Sequence, residues 1–146
     1  MTEILIKRLS KTVSMPKYET TGSSGMDLAA DIDEKIEIKP GETQIIPTGL
    51  SLSIPKEFEI QIRPRSGLAA KYQLSVLNTP GTIDADYRGE IGVILVNHGS
   101  TSIKLDKGER IGQLVLNKVE QIVWEENLEL QETERGEGGF GSTGTK

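Results

Sequence analysis

At 146 residues the chain is sized for one domain, long enough to bury on the order of 70% of its unfolded surface. Zero Cys and one His exclude a disulfide framework, a Cys nucleophile and a structural zinc site, and they fit a reducing compartment. Seventeen Lys and Arg against 22 Asp and Glu give −5 with no basic stripe, which argues against long nucleic-acid duplexes and membrane surfaces as partners.

Taken in order, the chain reads as β throughout. Residues 3–9 alternate apolar and polar, too regularly and with too short an apolar part for a signal peptide. No apolar run approaches a membrane span, so a soluble, cytoplasmic protein is expected. Residues 11–24 form a polar connection, and apolar character resumes over 25–30. Short strands follow at 35–38, 43–46 and 50–54, separated by the turns Lys39-Pro40-Gly41-Glu42, Pro47-Thr48-Gly49 and Pro55-Lys56-Glu57. Residues 57–63 alternate strictly, the pattern of a strand with one wet face. Only 66–72 invite a short helix, with Ser66 as its N-cap. Apolar runs at 74–77 and 91–96 flank a long shaped loop, as in a hairpin. Strands at 102–105, 110–119 and 121–124 complete the set, and His98 is read as a turn residue. Roughly ten short strands at this spacing describe a sandwich, a jelly roll or a barrel.

The loop between residues 78 and 90 is where chemistry is most visible. Pro80 fixes its own φ, Gly81 and Gly89 permit close backbone approach, and Ile83 sits where it could desolvate Asp84. Asp84 then reads either as a poised general base or as an ordinary turn residue capping its own backbone. The last fifteen residues, 132–146, are too rich in glycine to order themselves and read as a free tail. The same tail offers backbone N–H groups, the Ser142 and Thr143 hydroxyls and the Arg135 cation to an anion, and Phe140 as a stacking face. Arg63-Pro64-Arg65-Ser66-Gly67-Leu68 brings a guanidinium, a hydroxyl and a glycine to the start of the short helix, either a polar junction or a phosphate cradle. In Gly108-Glu109-Arg110-Ile111-Gly112-Gln113 the Gln interrupts apolar neighbours and needs partners. In Ser24-Gly25-Met26-Asp27-Leu28 an Asp follows a small-residue loop into a strand, for which capping is the plain explanation.

Together these five stretches resemble the trimeric deoxyuridine triphosphatases. The matching motifs are Ser24-Gly25-Met26-Asp27-Leu28; Pro64-Arg65-Ser66-Gly67-Leu68-Ala69; Asn78 through Gly81-Thr82-Ile83-Asp84-Ala85-Asp86-Tyr87-Arg88-Gly89; Gly108 to Gln113; and Arg135-Gly136-Glu137-Gly138-Gly139-Phe140-Gly141-Ser142-Thr143-Gly144. They occur in the family's order and cover the chain from about Tyr18 to its end. The resemblance implies an all-β, distorted jelly-roll subunit with one short helix, a β domain over residues 1–131 and a flexible lid arm over 132–146. It implies a homotrimer whose active sites lie between subunits, each drawing residues from all three chains.

The implied reaction is Mg²⁺-dependent hydrolysis of dUTP to dUMP and pyrophosphate, keeping uracil out of DNA and supplying dUMP for dTMP synthesis. By the resemblance, Asp84 is the base that activates a water for attack on the α-phosphorus. Asn78 and the backbone of Gly81, Thr82 and Ile83 read uracil, and Tyr87 packs on deoxyribose and leaves no space for a ribose 2′-hydroxyl. Arg65, Ser66, Gly67 and Gln113 hold the phosphates, and Asp27 reaches the Mg²⁺ through water. Phe140 stacks on uracil, Arg135, Ser142 and Thr143 reach the phosphates, and Gly141 belongs to the same closing arm. No role is carried over for Arg63, for Asp86, which shapes the turn, or for Arg88 and Arg110, which either pair with Glu90 and Glu109 or line the interface. Two rivals are a dCTP deaminase, which would need a further carboxylate near the base, and a nucleotide-sensing module, which would have little use for Asp84 together with Arg135.

Overall fold

The computed structural model describes residues 1–145. Eleven strands and one helix follow in order: β1 (Leu5–Arg8), β2 (Met26–Ala29), β3 (Ile36–Ile38), β4 (Thr43–Pro47), β5 (Leu50–Ser53), β6 (Phe58–Arg63), α1 (Ser66–Tyr72), β7 (Leu74–Val76), β8 (Gly81–Ile83), β9 (Gly92–Asn97), β10 (Ile103–Leu105) and β11 (Arg110–Lys118). All strand pairs are antiparallel and most join distant segments: β1 with β5, β3 with β10, a three-stranded sheet β4-β9-β7 and a four-stranded sheet β2-β11-β6-β8. This is the jelly-roll alternative among the three that the strand spacing allows. Within the described residues no helix is long and apolar enough to cross a membrane.

Strand alternation puts Ile60 and Ile62 of β6, Val93 and Leu95 of β9, and Leu28 of β2 into one core with Ile38, Ile46, Leu74, Ile91 and Ile111. Two polar side chains sit inside it, and both are satisfied. Asn97, fully buried, donates from Nδ2 to the carbonyls of Ile38 (2.9 Å) and Thr101 (2.8 Å), and its Oδ1 accepts from the Gly99 N–H at 2.9 Å. Thr48 donates both its hydroxyl (2.7 Å) and its N–H (3.1 Å) to the Ile91 carbonyl, which ties the Pro47-Thr48-Gly49 turn to the base of the central hairpin.

Three expectations change. Residues 121–124 are not a strand: after Val119 donates to Glu57 the chain leaves the sheet, and Val123 and Trp124 stand 97% and 86% exposed. β propensity alone does not make a strand where no edge is offered for pairing. Ser66 is not the helix N-cap. It is the first helical residue, Arg65 takes the extended cap position (φ −93°, ψ 127°), and among the described residues no side chain caps the helix. The loop from 77 to 91 is not a simple hairpin loop either, because β8 forms inside it and pairs with β6, while β7 pairs with β9 as expected.

Candidate active site

Two groups of polar side chains stand out, and the fold keeps them apart. The first lies on the sheet β2-β11-β6, where Asp27, Gln113 and Arg63 are direct cross-strand partners. Asp27 Oδ1 accepts from Arg65 Nε at 2.9 Å and Oδ2 from Arg110 Nη1 at 3.1 Å, so one carboxylate aims two guanidiniums. Arg65 comes from the junction after β6. Gln113 Nε2 donates to the Pro64 carbonyl at 3.0 Å and fixes that junction. A Cβ on Gly25 would lie 2.8 Å from Gln113 Oε1 and 2.9 Å from the Leu114 carbonyl oxygen, so only glycine lets the Gln side chain pass. Ser66 and Gly67 follow on the first turn of α1, with open space where a Gly67 side chain would be. Arg63 turns away to Gln61 Oε1 at 2.9 and 3.2 Å, in keeping with giving it no role.

The second group sits on β8 and the turn after it. β8 is the outer strand of its sheet, so one edge of Gly81-Thr82-Ile83 carries unpaired backbone donors and acceptors. Asn78 stands exposed just before it, ahead of a cis Thr79–Pro80 peptide. Asp84 starts a tight turn closed by the Tyr87 N–H on its carbonyl at 3.1 Å, with Ala85 and Asp86 between. Its carboxylate is exposed, and Ile83, itself half-buried, does not desolvate it in the single chain. The Tyr87 ring lies across the Gly89 backbone, and its hydroxyl donates to the Glu90 carbonyl at 2.8 Å. A cavity of about 170 Å³ opens beside Thr82, Asp84 and Tyr87.

The separation of the groups follows from strand register. Ile83 pairs with Ile60, so Asp84 begins at that end of β6, while Arg65 lies beyond the other. At about 3.3 Å per residue the stretch from Ile60 to Arg65 spans roughly 17 Å of backbone, which sets the two groups at opposite ends of β6.

The arm is a third piece. Residues 133–144 fold into successive turns closed by their own backbone, Gly136 to Thr133, Gly138 to Arg135, Ser142 to Gly139 and Gly144 to Gly141. Arg135 Nε donates within the arm, to Gly138 at 2.8 Å, and Phe140 is fully exposed at positive φ (50°). Gly141, Ser142 and Thr143 are exposed beside it.

Two local pairings that the sequence offered, Arg110 with Glu109 and Arg88 with Glu90, do not form in the single chain. Arg110 pairs with Asp27, 83 residues away, and not with Glu109, which accepts from the Asp106 N–H instead. Arg88 donates to the Ala85 and Tyr87 carbonyls at 2.6 and 3.0 Å, and Glu90 accepts from the Gly49 N–H at 2.8 Å, so those two do not pair either. No local signal encodes such long-range partners.

Against known proteins, residues 11–144 match the family model described as dUTPase. The chain is 54% identical over 145 residues to the deoxyuridine 5'-triphosphate nucleotidohydrolase of Rickettsia akari (strain Hartford), covering 99% of this chain and 98% of that protein. The corresponding enzyme of Rickettsia rickettsii (strain Sheila Smith) is 53% identical, again over 99% of this chain and 98% of that protein. Among solved structures, the Staphylococcus bacteriophage 80alpha dUTPase with dUPNHPP superposes with a TM-score of 0.89 at 28% identity, covering 99% of this chain and all of that one. A mutant of that phage protein with dUpNHpp gives 0.90 at 27% identity, with the same coverage.

Proposed function

We propose how the work is divided along this chain, on the premise that it belongs to the dUTPase family and hydrolyses dUTP as a dUTP diphosphatase. The separation along β6 carries the reading. One chain offers a base-and-sugar site at β8 and an anion site at Arg65, and a complete site forms where the β8 edge of one subunit meets the Arg65 group of a neighbour. A threefold homotrimer closes three such contacts with no unpaired end.

In that contact the free edge of Gly81-Thr82-Ile83 and the Asn78 amide read the polar edge of uracil. The Tyr87 ring faces the deoxyribose and excludes a 2′-hydroxyl by bulk. Arg65, the Ser66 hydroxyl, Gly67 and Gln113 hold the phosphate oxygens, with Arg65 aimed by Asp27. Asp84 takes a proton from water as its oxygen attacks the α-phosphorus, and the bond from that phosphorus to the bridging oxygen breaks, releasing pyrophosphate. The arm closes last: Phe140 stacks on uracil, and Arg135, Ser142 and Thr143 leave their turns for the leaving phosphates, with Gly141 as their pivot.

The residues fit a Mg²⁺ ion held mainly by triphosphate oxygens and water. Among the described residues no three His, Cys, Asp or Glu gather as a cage, and both Asp27 oxygens already accept from guanidiniums, which leaves that carboxylate the part of an acceptor for a metal-bound water. When bound, the ion neutralises triphosphate charge and polarises the phosphoryl oxygens.

Subunit mixing tests the division. Asp84→Asn and Arg65→Ala proteins, each inactive alone, are unfolded together in equal amounts and refolded. If each site takes its Asp84 from one subunit and its Arg65 from another, roughly a quarter of the sites regain both, and pyrophosphate release from dUTP returns to about that fraction of wild type. No recovery refutes the shared site. Release from UTP, dTTP and dCTP, with and without Mg²⁺, checks substrate and metal in the same assay, and ammonia released from dCTP would instead support the deaminase.

A further inference from the structure

We infer that Glu90 is a positioning residue for sugar selection, acting through the Tyr87 hydroxyl; this rests on reading Tyr87 as the surface that excludes a ribose 2′-hydroxyl. Three observations connect the residues. The Glu90 carboxylate accepts from the Gly49 N–H at 2.8 Å, across 41 residues of sequence. The Glu90 carbonyl accepts from the Tyr87 hydroxyl at 2.8 Å. The Tyr87 ring rests on Gly89, where a Cβ would come within 2.6 Å of the ring's Cζ and 3.0 Å of Cε2.

The far end of this chain is bonded to the core. Gly49 holds a left-handed φ of 68°, and a Cβ there would strike Val13 and come within 2.6 Å of Asp31 Oδ2. Its carbonyl accepts from Leu9 at 2.8 Å, its neighbour Pro47 accepts from Asp31 at 2.8 Å, and buried Thr48 is doubly bonded to Ile91. Ile91, the residue after Glu90, donates in turn to Leu50 at 2.8 Å. A carboxylate accepting from a backbone N–H forms one of the stronger hydrogen bonds available, and here it couples the exposed loop to the core. Tyr87 is 44% exposed, and Glu90 is exposed beside it, so the ring has little packing of its own to hold it. The clamp holds the hydroxyl end, and Gly89 abuts the ring at Cζ and Cε2. Tyr87 and Glu90 also line a cavity with Thr82, Ile83, Asp84 and Gly92. A ring fixed in place rejects an extra hydroxyl by contact, whereas a ring free to tilt gives way to it.

The test compares kcat/KM for dUTP with kcat/KM for UTP. Glu90→Ala is expected to lower that ratio about tenfold, the effect of ~1.4 kcal/mol, with kcat for dUTP changing less than KM. Glu90→Gln, which keeps an oxygen acceptor for the Gly49 N–H, is expected to recover most of the ratio. Tyr87→Phe, which removes the donor, is expected to match Glu90→Ala, and the double variant to be no worse than either single change, because both cut one chain. Wild-type selectivity in Glu90→Ala, no recovery in Glu90→Gln, or additive losses in the double variant would each overturn the inference. Should Glu90→Ala fail to fold, Tyr87→Phe decides alone: an unchanged ratio removes the last link. Tyr87→Ala separates the two levels of argument. If it keeps full selectivity, the sugar-facing role of Tyr87 is wrong; if it loses selectivity while Glu90→Ala does not, only the clamp is wrong.

Discussion

Gly67→Ala should move stability and activity in opposite directions. Gly67 is the second residue of α1, its φ is not in the left-handed region, and nothing lies within 4 Å of where a Cβ would be. On the fold alone the methyl group is welcome: replacing helical Gly by Ala gains roughly 0.5–1 kcal/mol by restricting the unfolded chain. For a chain of this length that raises Tm by about 1–4 °C. If the Gly67 backbone meets a phosphate oxygen, the same methyl crowds the approach and weakens a hydrogen bond to a charged group. Losing about 1.5–3 kcal/mol there raises KM for dUTP roughly ten- to hundredfold. Calorimetry at one fixed protein concentration gives the first quantity, since assembly makes Tm concentration-dependent, and initial rates of pyrophosphate release give the second. A higher Tm with unchanged KM would remove Gly67 from the phosphate site. A lower Tm with a raised KM would show a structural glycine and sink the reasoning.

Asp84→Asn keeps the shape of the side chain and removes the base, so nucleotide binding by calorimetry should persist while turnover falls roughly 10²- to 10⁴-fold; unchanged turnover would exclude Asp84 as the base. Deleting residues 133–146 should depress turnover and leave the sedimentation coefficient that of the full-length assembly, because the described arm residues bond only among themselves; full activity without the arm would refute its role as a lid. Asn97→Leu removes the three hydrogen bonds of a fully buried side chain and takes a partner from the Ile38 and Thr101 carbonyls and the Gly99 N–H. It should cost about 3 kcal/mol or more, read as a lower urea midpoint at constant slope.

What the sequence made legible was local. Period-two alternation located β6, turn residues located the ends of β3, β4 and β5, and the short helix falls at residues 66–72 as the pattern predicts. What it hid depends on pairing between distant segments. Arg110 and Gln113 are three apart, so a regular strand would send them to opposite faces. The register shifts between Arg110 and Gly112, so that Arg110 faces Ala29 and Gln113 faces Asp27, and both side chains emerge on one side of the sheet. That bulge is what lets Arg110 reach Asp27, and no residue type announces it. Glu90 is a similar case: it resembles a solvent-facing charge until Gly49, brought beside it by the folded turn, supplies an N–H. Residues 121–124 failed the other way, with strand-like composition but no strand to pair with inside one chain.

That failure bears on assembly. Ile122, Val123, Trp124, Leu128 and Leu130 are all exposed by two-thirds or more, in a segment without regular structure that joins β11 to the arm. Five large apolar side chains exposed within nine residues are a poor fit to water, and solvent-facing residues without a partner are seldom grouped so densely. The same segment leads to the arm, whose hydrogen bonds are internal to it and whose Phe140 is fully exposed. In the trimer we propose, one requirement meets both facts: a neighbouring surface that covers the apolar residues also delivers the arm to a site whose base and phosphate-binding groups lie at opposite ends of β6 in a single chain. Trp124→Ser should therefore weaken assembly and turnover together, measured by dilution, while the monomer's own core, which Trp124 does not touch, stays folded. Loss of activity with an undisturbed assembly would detach the apolar segment from this role.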